Sequence, residues 1–161
     1  WGLYYEEMEV FLKGCLSECP VERISHIGST SVLGIWAKDI VDVLIEVSEG
    51  SDLGSTAEVL EENGFTRMSA VTGRISFQCG YTKHGFADRV FHVHLRFTGD
   101  HDELFFRDYL REHPQTAKEY EALKLRLWKQ FQHDRDGYTE AKSDFIRRWT
   151  SEAKRVYAGR Y

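Results

Sequence analysis

The sequence predicts an α+β fold: a short mixed β-sheet packed with helices, followed by a C-terminal helical half. Three observations carry this prediction. Short β-branched runs bounded by turn residues, such as Val21 to Ile27 and Ile40 to Val47, read as strands. Apolar residues at helical spacing precede the first run and follow the second. From Asp102 onward every apolar pattern is helical. A chain of 161 residues suits one domain, with a mixed half over 1–100 and a helical half over 101–161.

Tyr4, Met8, Phe11, Leu12 and Leu16 lie on one face of a first helix, which Pro20 ends. This places Cys15 and Cys19 on one helix face, as small half-buried residues rather than a metal pair. Val21 to Ile27 alternates as a strand. Gly28-Ser29-Thr30-Ser31 is a turn, and Ser31 to Lys38 a short irregular link. Ile40 to Val47 is the second strand. Asp52 to Asn63 is a helix with Leu53, Ala57 and Leu60 on one face, and Asn63-Gly64 stops it. Phe65 to Met68 and Arg74 to Cys79 flank a Thr72-Gly73 turn. Tyr81 to Asp88 is a polar loop. In the strand Arg89 to Phe97, Phe91, Val93, Leu95 and Phe97 share one face, and His92, His94 and Arg96 the other. Leu104, Phe105, Tyr109 and Leu110 begin the helical half. Ala117 to Phe131 continues it, and Asp136-Gly137 breaks it. Tyr138 to Tyr157 closes it, with Ala141, Phe145, Ile146 and Trp149 inward.

Composition narrows the function. A net charge of −5 argues against a general nucleic-acid binder, which needs a basic excess. No apolar run is long enough for a transmembrane helix, so no membrane partner is expected. Three cysteines, with no secretory pattern at the start, predict reduced thiols and a cytoplasmic protein. The absence of a G-x-x-x-x-G-K-[ST] loop excludes a P-loop kinase.

The chemistry concentrates between His26 and Asp42. Asp42 stands in an apolar strand, where a carboxylate needs a cationic partner or a polar cleft. Gly28, Ser29 and Thr30 offer backbone N–H groups and hydroxyls to a phosphate, although an ordinary strand-to-helix turn uses the same residues. Lys38 contacts a phosphate, neutralises Asp42 or is simply a solvated lysine before a strand. Glu46 shares the Asp42 face but sits about 13 Å along the strand. His92 and His94 with Asp42 form a candidate set for zinc, manganese or iron. The same imidazoles suit phosphate contact or acid–base work. Tyr138 and Lys142 share a helix face.

A Gly-Ser turn followed by an acid on the next strand resembles a nucleotidyltransferase site. The run H-I-G-S-T-S-V-x-G-x-x-A-K-x-x-x-D (His26 to Asp42) resembles the signature of the GrpB family, a group in that superfamily. His92-Val93-His94, Phe106 to Pro114, Tyr120 with Leu123-Lys124, and Tyr138 to Lys142 with Phe145-Ile146 match further family motifs in the same order. The resemblance implies a nucleotidyltransferase-like fold and no established reaction. Leu33 and Asp39 stand where the family usually has Pro, and Leu44 stands where the superfamily's second metal-binding acid would fall.

On this basis Asp42, His92 and His94 are the candidate catalytic residues and the candidate metal ligands. Gly28, Ser29, Thr30, Lys38, Arg96, Lys124, Tyr138 and Lys142 are candidates for contacting a nucleotide or phosphorylated small molecule, and His26 supports the turn from behind. The leading expectation is nucleotidyl transfer from a nucleoside triphosphate with Mg2+ or Mn2+. The alternatives are a non-catalytic binding module and a His/Asp metal-dependent hydrolase.

Overall fold

The computed structural model describes residues 1–82 and 85–161. It divides into two compact units, residues 1–31 with 38–101 and residues 32–37 with 102–161.

The first unit contains α1 (Gly2–Cys15), β1 (Val21–Ile27), a 3-10 turn (Ser29–Ser31), β2 (Val41–Val47), α2 (Leu53–Glu62), β3 (Thr66–Val71), β4 (Arg74–Thr82) and β5 (Gly85–Phe97). The five strands lie in the order β1-β2-β5-β4-β3. β2 and β5 run parallel and the other neighbours antiparallel, so the sheet is mixed, as expected. A parallel pair needs a long crossover, and α2 with the β3–β4 hairpin supplies it.

One sheet face forms the core. Val41, Val43, Ile45 and Val47 meet Phe91, Val93 and Leu95, and this apolar surface packs on Leu12 and Leu16 from the α1 side and on Leu53, Ala57 and Leu60 of α2. Strand alternation therefore sends Asp42, Leu44, Glu46, His92, His94 and Arg96 to the opposite face. The Asp52 carboxylate caps α2, accepting from the Gly54 N–H at 2.8 Å. Gly64, at φ +91°, follows that helix as expected.

Two sequence expectations change in this unit. α1 ends at Cys15, so Cys15 and Cys19 do not share a helix; Cys19 packs half-buried against the core from the following turn. The expected loop Tyr81 to Asp88 is largely strand, with Tyr81 paired to Phe86 and Thr82 to Gly85. Lys83 and His84, within that stretch, lie outside the described residues. Polar composition misled here because an exposed ladder needs backbone pairing rather than apolar side chains. The Thr82 hydroxyl adds a bond to the Gly85 carbonyl at 2.8 Å.

The second unit contains α3 (Asp102–Glu112), α4 (Pro114–Gln130) and α5 (Arg135–Val156). Val32, Ile35, Leu110, Ala117 and Tyr120 form one apolar cluster, and Phe105, Tyr109, Ala153 and Tyr157 another. α4 straps residues 32–37 through polar bonds. Lys118 Nζ donates to the Gly34 carbonyl at 2.6 Å. The Glu121 carboxylate accepts the Trp36 N–H, and Lys124 Nζ donates to the Trp36 carbonyl. The helix break expected at Asp136-Gly137 falls earlier, between Gln130 and Arg135, and Asp136-Gly137 lies inside the first turn of α5. Asp134 caps that turn by accepting from the Gly137 N–H at 2.8 Å, and a Cβ at Gly137 would overlap the capping carboxylate. Ala141 is exposed rather than inward; Phe145, Ile146 and Trp149 pack half-buried against the clusters. Among the described residues no helix is long and apolar enough to cross a membrane.

Candidate functional site

The polar face of the sheet is laid out in rows by strand register. Ile27, Asp42, His92 and Gln78 stand opposite one another across β1, β2, β5 and β4. The next row is Ser25, Leu44, His94 and Ser76, and the third is Arg23, Glu46, Arg96 and Arg74. Partners across a ladder share a face, so Asp42, His92 and His94 come together as the sequence predicted.

Both imidazoles face one carboxylate oxygen. His92 Nδ1 is 3.6 Å and His94 Nε2 3.5 Å from Asp42 Oδ1, which is ion-pair reach rather than hydrogen-bond contact. The Asp42 side chain keeps 29% of its surface exposed. Burial pushes its pKa up, but the two imidazoles more than reverse this and hold it at about 2, so the carboxylate is ionised at neutral pH. An ionised Asp42 favours N–H on the facing nitrogens. The far nitrogens are anchored by hydroxyls: Tyr81 Oη lies 2.8 Å from His92 Nε2, and Ser76 Oγ 3.4 Å from His94 Nδ1.

The Gly-Ser turn abuts this carboxylate. Gly28 takes φ +70°, and a Cβ there would overlap the Asp42 side chain, so the close approach requires glycine. Ser31 closes the turn, its hydroxyl donating to the Gly28 carbonyl at 2.6 Å. Thr30 is buried and its hydroxyl is 3.0 Å from His26 Nε2. The His26 ring stacks on Tyr5 with centroids 4.7 Å apart, which puts it on the helix side of the sheet, behind the turn. Ser29 is half-buried and Lys38 exposed. Arg96 is buried in the third row, with its guanidinium 3.6 Å from Asp100.

The remaining candidates belong to the second unit. Lys124 is only 2% exposed and its ammonium is committed to the Trp36 carbonyl. Burial and nearby Lys142 pull its pKa down to about 8, against the opposing pull of Glu121. Lys142 Nζ lies 5.0 Å from the centroid of the buried Tyr138 ring, so Lys124, Tyr138 and Lys142 form one cluster.

Among the described residues no group of three or more His, Cys, Asp or Glu side chains is placed to hold a metal ion. His92 Nδ1 and His94 Nε2 both stand at ion-pair reach of Asp42 Oδ1. The position of the second acid is Leu44, at 0% exposure, and magnesium favours oxygen donors. With one carboxylate on hand, these residues do not by themselves make a two-metal centre.

Sequence reasoning missed three partners. Tyr81 was hidden in the supposed loop. Ser76 was legible in principle, because it alternates with Ile75 and Phe77 on a strand that pairs with the histidine strand. Glu46 is fully buried, with Arg23 Nε at 2.6 Å and His101 Nδ1 at 2.7 Å. The argument that demanded a partner for Asp42 applies equally to Glu46.

The mixed sheet and its helices make a nucleotidyltransferase-like fold, as the solved structures that superpose on it show. Residues 1–152 match the family described as GrpB protein, and the chain belongs to the GrpB family. The crystal structure of conserved protein GrpB from Enterococcus faecalis superposes with a TM-score of 0.81 at 30% identity, covering 98% of this chain and 94% of that one. The UPF0157 protein YqkA of Bacillus subtilis (strain 168) is 39% identical over 99% of this chain and 46% of its own length, so the chain spans about half of that relative. A Cid1 poly(U) polymerase structure bound to MgATP shares the fold alone, with a TM-score of 0.54 at 18% identity over 85% of this chain and 48% of that one.

Proposed function

We propose that this domain binds a nucleoside triphosphate or another phosphorylated small molecule on the polar sheet face, at Gly28, Ser29, Asp42, His92 and His94. The observation that carries the reading is the glycine at positive φ pressed against an ionised carboxylate that two imidazoles flank. Backbone N–H groups of the turn are donors suited to phosphoryl oxygens, and the two imidazoles flank the place where a phosphate would sit. The polymerase that shares the fold holds MgATP, which supports the choice of ligand class.

Nucleotidyl transfer is the second reading. It is favoured by an ionised Asp42 beside two groups able to take or give a proton. Mg2+ or Mn2+ would arrive with the triphosphate, with Asp42 as its one carboxylate from this face.

Thermal unfolding against a panel of nucleotides and phosphorylated coenzymes, with and without Mg2+ or Mn2+, tests both. A ligand at about a hundred times its Kd adds roughly 2.7 kcal/mol, which a melting curve resolves. A metal-independent shift supports binding alone. A shift that needs nucleotide and metal together, and is lost in Asp42→Asn, supports transfer. No shift with any ligand would defeat the proposal.

A further inference from the structure

We propose that the Tyr81 hydroxyl is the covalent acceptor of the site, taking a nucleotidyl group from a nucleoside triphosphate. This rests on the nucleotide reading above and adds the acceptor to it.

The placement of Tyr81 is the first observation. Along β4, Ile75 and Phe77 are buried in the core and Cys79 packs against it, while Ser76 and Gln78 stand opposite His94 and His92. Simple alternation would send Tyr81 to the core side with Cys79. The ladder is irregular at this point. Cys79 pairs with Phe91 but Tyr81 pairs with Phe86, so five steps on β5 face two on β4. Gly80 takes φ +101°, and a Cβ there would overlap the Arg89 carbonyl, so the distortion requires glycine. The Tyr81 N–H is fixed to Gln78 Oε1 at 3.1 Å. Bulges of this kind re-aim side chains beside functional sites. Here the distortion brings a phenol to the polar face.

The second observation is the line of groups that the phenol joins. Tyr81 Oη is 2.8 Å from His92 Nε2, with the two rings edge-on at 5.8 Å, and His92 Nδ1 faces ionised Asp42. Hydroxyl and imidazole at hydrogen-bond distance are the parts of an activated nucleophile and its base, and the carboxylate stands at ion-pair reach of the imidazole. Tyr81 is 40% exposed, which leaves it open to an incoming phosphate. Ser76 makes a longer approach to His94, at 3.4 Å, and is the weaker nucleophile candidate.

In the step, Tyr81 Oη attacks the α-phosphorus. The Oη–P bond forms and the bond from that phosphorus to the β-phosphate oxygen breaks. Pyrophosphate leaves with the electron pair. The phenolic proton passes to His92 Nε2, and the resulting imidazolium faces Asp42.

The full chain is incubated with ATP, GTP, CTP and UTP in turn, with Mg2+ or Mn2+, and read by intact mass, peptide mapping and pyrophosphate release. The expected result is a gain of one nucleoside monophosphate on the Tyr81 peptide with equimolar pyrophosphate. The adduct should be absent in Tyr81→Phe and form at least a hundredfold more slowly in His92→Gln. Mapping on the wild-type chain keeps the test decisive if a variant fails to fold. A nucleotide-induced thermal shift without any adduct would overturn the acceptor and leave the binding reading standing. An adduct on another residue, or one formed at an undiminished rate in His92→Gln, would also overturn it. Neither shift nor adduct would overturn both.

Discussion

Replacing Arg23 with Met should expose how the charged row at the far end of the polar face is held. Glu46 has 0% exposure and depends on Arg23 at 2.6 Å and His101 at 2.7 Å. Removing one partner of a buried ion pair costs about 3–5 kcal/mol, because the remaining charge stays buried. Arg23 keeps 34% of its side chain exposed and His101 remains in place, which reduces the loss. We expect a loss of about 2–3 kcal/mol, or roughly 4–12 °C in Tm for a chain of this size. Burial pushes the Glu46 carboxyl up, and Arg23 and His101 more than reverse it, so its folded pKa lies below the ordinary value. A depressed carboxyl contributes stability that is present above about pH 4.3 and is lost as pH falls through the folded value. The gap between wild type and Arg23→Met should therefore be widest near neutrality and narrow on acidification. The double variant Arg23→Met/Glu46→Met should recover most of the loss, since no charge is left stranded. Urea unfolding from pH 7 to pH 3 reads all of this. A single-variant effect below about 0.5 kcal/mol, or a gap unchanged by pH, would refute the reasoning.

Three further outcomes follow from the same geometry. The Lys124 pKa, lowered to about 8, means the unfolded chain holds a proton that the fold releases earlier, so stability should rise between pH 8 and pH 10. Lys124→Met should flatten that rise, of roughly 3 kcal/mol, in unfolding curves taken across the interval. Gly28→Ala places a Cβ on the Asp42 carboxylate at φ +70° and should cost at least about 1–2 kcal/mol and abolish nucleotide-induced stabilisation; an unchanged melting temperature would count against the close approach. Asp134→Ala removes the cap on the Gly137 N–H and should cost about 1 kcal/mol, seen as a lowered urea midpoint with unchanged slope.

Much of the fold was legible because its elements obey single periodicities. The period of two put His92 and His94 on one face of their strand and Asp42 on the face opposite the apolar residues of its own, and the register then brings the two faces together. The period of 3.6 located the helices of the second unit to within a few residues. What stayed hidden depends on pairing between distant segments. Glu46 finds His101 across 55 residues and Arg23 across 23, and no local pattern marks either contact. Tyr81 reaches His92 through a distorted ladder, which looks like a polar loop when only composition is read. Lys124 looked available for a phosphate, but its bond to the Trp36 carbonyl spans 88 residues. The missing second acid at Leu44 was visible in the sequence, and Leu44 is completely buried.

The central claim is that phosphates bind beside Asp42, His92 and His94, and histidine ring NMR during a nucleotide titration tests it most directly. Rings are assigned by single substitution, and each nucleotide that stabilises the protein is titrated against the free chain. We predict saturable shifts of the His92 and His94 ring signals, with the midpoint of the thermal stabilisation. Saturable binding that leaves both rings unmoved would place the ligand elsewhere and contradict the account.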